Sequence, residues 1–86
     1  MESLNKEFII NRTFDSRYVK NFINKVTAIK SDVYFAKDDR KINAKSIIGL
    51  LSLGLSMGDK IEIYVSGSNK DLLKSDMIKV IEILGE

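Results

Sequence analysis

The stretch Lys45-Ser46-Ile47-Ile48-Gly49-Leu50-Leu51-Ser52-Leu53-Gly54 decides how the rest of the chain is read. Ser46 carries the short hydroxyl side chain favoured at a helix N-cap, and Gly54 is the residue type that most readily ends a helix. Residues 46–53 are therefore expected to form a short helix, opened by Ser46 and closed near Gly54. Ile47, Ile48, Leu51 and Leu55 outnumber what one face of so short a helix can bury, so part of this set is expected at the surface.

Working outward, Met57-Gly58-Asp59 reads as a turn into a strand over 60–66, where Ile61, Ile63 and Val65 alternate with Lys60, Glu62 and Tyr64. A second turn at Gly67-Ser68-Asn69 leads to a helix over 70–84, with Leu73, Met77, Val80, Ile81 and Leu84 on one face. On the other side, 32–37 and 40–44 flank Asp38-Asp39 as a hairpin. Val19, Phe22, Ile23 and Val26 form the apolar stripe of a helix over 16–28, capped by Asp15 or Ser16. Phe8, Ile9 and Ile10 mark a first strand over 4–11.

The order β-α-β-β-α-β-α, with one apolar face per strand, predicts an α+β two-layer sandwich. Ferredoxin-like domains and several RNA-binding folds share that order, so it does not decide function. A chain of 86 residues fits a single domain over 1–86.

Composition narrows the chemistry. With no cysteine and no histidine, thiolate sites, disulfides and the commonest metal ligand and general base are all absent, and no metal or cofactor is expected. Net charge +2, from 14 basic and 12 acidic residues in mixed order, is too small to point to nucleic acid. The apolar run from Ile47 to Leu55 is far short of a membrane span, and MESLNKEF lacks the apolar core of a signal peptide. A cytoplasmic protein is expected, and no constellation of residues suggests an enzyme.

The run K-S-I-x-G-x-x-S-L-G over 45–54, followed by Gly58, Ile61-Glu62-Ile63 and Ser66-Gly67, resembles the bacterial histidine-containing phosphocarrier family, HPr. The likeness extends over nearly the whole chain. It implies an open-faced sandwich of four antiparallel strands with three helices on one face. The family's active-site signature is glycine–isoleucine–histidine–alanine–arginine–proline at the start of the first helix. Here that stretch is Thr13-Phe14-Asp15-Ser16-Arg17-Tyr18: Arg17 matches, Asp15 fills the histidine position and Tyr18 the proline position.

Asp15 has three readings: a plain helix cap, worth about 1 kcal/mol, a fixed mimic of the phosphorylated state, or an acyl-phosphate acceptor. Arg17 is either a surface ion-pair partner of Asp15 or the family's anion contact. The resemblance implies that Ser46 is a phosphorylation site of a dedicated serine kinase, with a dianion tolerated at the helix start and Lys45 adding positive charge. It also implies a docking surface, assigned here to Tyr18, Lys20, Ile47, Ile48 and Leu51. Tyr34, Phe35 and Tyr64 are read as core and sheet surface, because the basic stripe of a single-strand RNA platform is missing.

A branch of the family, the catabolite-repression HPr proteins, also lacks the histidine and acts through the serine, usually with glutamine where this chain has Asp15. The resemblance thus implies a regulatory or adaptor protein of sugar uptake and carbon catabolite regulation. Its implied partners are phosphotransferase-system enzymes, a serine kinase/phosphorylase or a transcriptional regulator. The alternative is a phosphoryl carrier that uses Asp15.

Overall fold

Seven elements follow one another over residues 1–86 in the computed structural model: β1 (Glu2–Ile9), α1 (Ser16–Val26), β2 (Asp32–Lys37), β3 (Arg40–Asn43), α2 (Ile47–Leu53), β4 (Lys60–Gly67) and α3 (Lys70–Gly85). The strands make one antiparallel sheet in the order β1-β4-β2-β3. The three helices cover one face, giving the α+β open-faced sandwich expected from the element order and the family resemblance.

Alternation puts Ile61, Ile63 and Val65 of β4 and Val33 and Phe35 of β2 under the helices. They meet Val19, Phe22 and Val26 of α1, Leu50 and Leu53 of α2, and Leu73, Met77, Val80 and Leu84 of α3, all buried in one core. Each such side chain contributes about 1.5–3 kcal/mol by leaving water. Ile81, expected on the buried face of α3, is half-buried at its rim.

The first strand begins and ends earlier than its apolar residues suggest. It pairs along β4 from Glu2 opposite Gly67 to Ile9 opposite Lys60, where the partner strand starts. Beyond that point Ile10 bonds instead to the turn, its N–H to Asp59 O at 2.8 Å and its carbonyl to Gly58 N at 2.7 Å. Lys6 shares the helix-facing side of β1 with Leu4 and Phe8 by register. A charge there, on an edge strand, discourages pairing with another sheet.

Helix α1 stops at Val26 rather than 28, since Thr27, Ala28 and Ile29 turn back to carbonyls of its last turn. The following loop is held by a buried carboxylate: Asp76 accepts from Ser31 N at 3.1 Å and Ser31 Oγ at 2.6 Å. On the open face Tyr34 and Tyr64 lie opposite each other in the register. The Lys41 ammonium sits 4.1 Å from the Tyr64 ring centre and 5.2 Å from that of Tyr34, so a cation covers both rings. Phe35 is buried. No helix is long and apolar enough to cross a membrane.

Candidate functional site

Two helix starts carry the residues singled out from the sequence. At α1, Asp15 has extended backbone (φ −77°, ψ 174°), and its Oδ1 accepts from Tyr18 N at 2.8 Å. The carboxylate thereby satisfies one of the free N–H groups of the first turn. Arg17 is exposed and makes no ion pair with Asp15, so the expected surface pair does not form. Its guanidinium is left to solvent.

Tyr18, expected at the docking surface, is only half-exposed, with part of its ring packed inward. Its ring centre lies 4.7 Å from that of Phe14 and 6.3 Å from that of Phe22, and the Arg12 guanidinium rides over it at 4.6 Å. The residue is half-buried with its hydroxyl out of water, and burial raises its pKa above the ordinary 10.0. An aromatic here extends the Phe14–Phe22–Phe35 cluster of the core. Lys20, one residue beyond the buried Val19, is exposed.

At α2, Ser46 caps with extended backbone, its Oγ accepting from Gly49 N at 3.1 Å. The close approach at Gly49 has a concrete cause: a Cβ there would lie 3.3 Å from Asn43 O and from Ile42 Cβ. Gly54 ends the helix in the left-handed region at φ 59°, where a side chain is strained. Of the four aliphatics, Ile47, Ile48 and Leu51 are 41%, 82% and 42% exposed, whereas Leu55 is 1% exposed and belongs to the core. Ile48 and Leu51 thus face outward, and Leu50 and Leu53 point inward in their stead.

Lys45 does not lend its charge to Ser46. Its ammonium turns the other way and donates to Ile29 O at 2.6 Å and Ser31 O at 2.9 Å. It ties the start of α2 to the loop that Asp76 holds. The two regions are joined a second time, because Phe14 N donates to Leu55 O at 2.9 Å. This bond fixes the approach to α1 beside the exit from α2.

A residue that the sequence reading passed over completes the α2 side. Arg40 donates from Nη1 to Ser52 O at 2.6 Å and from Nη2 to Ser52 Oγ at 2.8 Å. A cation at the last turn of a helix satisfies its carbonyls and complements its dipole. Nothing local signals this contact, since Arg40 sits in a hairpin twelve residues earlier. No three Asp or Glu side chains gather as a metal site.

Comparison with known proteins places this geometry. The family model described as "PTS HPr component phosphorylation site" matches residues 7–82. The HPr-like protein Crh of Bacillus subtilis is 39% identical over 49 residues, which cover 57% of this chain and 58% of that protein. Crh of Halalkalibacterium halodurans is 33% identical over 61 residues, covering 71% of this chain and 73% of the relative. Among solved structures, the phosphocarrier protein HPr of Bacillus anthracis has a TM-score of 0.76 at 25% identity, over 93% of this chain and 99% of that one. The crystal structure of Bacillus subtilis Crh gives 0.72 at 27% identity, over 99% and 94%. With the same layers and a family match along most of its length, the chain belongs to the HPr family of the phosphotransferase system, as a member similar to Crh.

Proposed function

We propose that this chain is a regulatory adaptor of the HPr family, which docks through the α2 face and the start of α1, is phosphorylated at Ser46, and transfers no phosphohistidine. The observation that carries the reading is the exposure of Ile47, Ile48 and Leu51 directly after a capping serine. Three aliphatic side chains left in water on one short helix suit a transient partner surface with a small interface. Lys20 adds a charged rim at α1, beside the half-exposed Tyr18. The partners on this reading are phosphotransferase-system enzymes, a serine kinase/phosphorylase or a transcriptional regulator.

Carrier chemistry is disfavoured because the chain has no histidine and Asp15 spends one carboxylate oxygen on capping α1. Incubation with ATP and a serine kinase of the family tests the proposal. Wild type takes up label and Ser46→Ala does not; equal label in both, or none in either, overturns it. The rival reading, Asp15 as an acyl-phosphate acceptor, predicts a hydroxylamine-labile label from phosphoenolpyruvate and the first phosphotransferase enzyme, lost in Asp15→Asn.

A further inference from the structure

Away from the α2 face, a cavity of about 170 Å³ lies between α1 and the end of α3, lined among others by Arg12, Tyr18, Asn21, Lys25 and Glu86. Two donors there are buried without a protein partner, the Arg12 Nε–H and the Tyr18 hydroxyl. Buried polar groups are nearly always paired, so two neighbouring exceptions mark a place suited to an acceptor. The remaining cationic groups already converge on one: Arg12 Nη2 donates to the main-chain oxygen of Glu86, and Lys25 Nζ to its side-chain Oε1. The Tyr18 hydroxyl feels the charges of Arg12, Lys25 and Glu86, so it belongs to the same cluster.

We propose that this cavity binds a phosphate-sized oxoanion through Arg12, Lys25 and the Tyr18 hydroxyl, with the Glu86 carboxylate as its internal competitor. Three donors line the space, two of them on cations whose present bonds run to the main-chain oxygen and the side-chain carboxylate of Glu86, so an oxoanion that displaces Glu86 meets charge-assisted donors already gathered. The volume is below the roughly 300 Å³ at which pockets begin to hold whole drug-sized ligands, so the site takes a head group. The Arg12 guanidinium carbon lies 4.6 Å from the Tyr18 ring centre, a cation–π contact that holds the cation beside the cavity. This site uses neither Asp15 nor Ser46, and the inference is independent of the adaptor reading.

The test is an NMR titration of the whole chain with inorganic phosphate and, in parallel, glycerol phosphate, which separates a free anion from a carried head group. Saturable shifts of the Arg12 Nε–H and the Tyr18 ring with either probe are expected. Arg12→Gln and Lys25→Gln each weaken binding by about tenfold or more, the loss of one charge-assisted hydrogen bond. Glu86→Gln tightens it, and Lys74→Gln, an exposed charge on α3, leaves it unchanged. Circular dichroism establishes that each variant is folded; if Arg12→Gln is not, Lys25→Gln decides alone. Shifts that rise linearly without saturation, shifts confined to residues 15–17, or equal weakening by Lys74→Gln overturn the proposal.

Discussion

The starts of α1 and α2 are built alike and differ in what they leave available. Each is capped by a side-chain oxygen that accepts from the N–H three residues on, Asp15 to Tyr18 at 2.8 Å and Ser46 to Gly49 at 3.1 Å. After Asp15, the aromatic three residues on packs against the core cluster and Arg17 is left without a salt-bridge partner. After Ser46, Ile47 and Ile48 remain in water while Gly49 lets the helix press on the hairpin. A cap is thus a shared structural solution, and the residues behind it decide whether the helix start closes on itself or presents a surface.

The largest expected effect comes from removing the support beneath the α2 side. Asp76→Ala strips two buried hydrogen bonds from Ser31 and loosens the loop whose carbonyls hold Lys45. Urea unfolding is expected to show a loss of about 2–3 kcal/mol, the cost of leaving buried donors unmade. A loss below about 0.5 kcal/mol, the range of an ordinary surface change, breaks the link between that loop and α2.

Next comes Ile48→Asp, which separates surface from scaffold. Because Ile48 is exposed, stability should stay within about 0.5 kcal/mol of wild type, while partner affinity measured by calorimetry falls about tenfold or more. Unchanged affinity removes the α2 face from the docking surface. The two caps should then prove equal as structure: Asp15→Ala and Ser46→Ala each cost about 1 kcal/mol in thermal or urea melts, and Asp15→Asn costs much less because Asn also caps. A clear inequality between the two alanine variants shows that one cap has a structural duty that the other lacks.

The smallest effect is a titration confined to the α2 side. Asp59 accepts from Lys37 at 2.9 Å and from Ser56 N at 2.8 Å in the turn between α2 and β4. Its hydrogen bond to Lys37, then that to Ser56, lowers its pKa below the ordinary 3.8. A depressed carboxylate pKa contributes stability that is complete above 3.8 and is lost as pH falls through the lower folded value. Urea midpoints followed from neutral to strongly acid pH should therefore decline less steeply in Asp59→Asn than in wild type.

Much of this was legible in the chain itself. Period-2 alternation at Ile61, Ile63 and Val65 and the helical stripes at Val19–Val26 and Leu73–Leu84 are local signals of burial, and both helix caps announce themselves by residue type. What stayed hidden depends on distant partners. The reach of Lys45 to Ile29 and Ser31, the burial of Asp76 against Ser31 and the meeting of Arg12 with Glu86 join residues from 14 to 74 positions apart. The inward turn of Tyr18 is partly of the same kind: Phe22 lies one helical turn on, whereas Phe14 and Arg12 reach it from before the helix.

Mass spectrometry that locates the phosphoryl group tests the contrast between the two helix starts most directly. The chain is offered both ATP with a serine kinase of the family and phosphoenolpyruvate with the first phosphotransferase enzyme. The account predicts one phosphoryl group, on Ser46, present in Asp15→Asn and absent in Ser46→Ala. A phosphoryl group on Asp15, or a chain unmodified in both reactions, contradicts it.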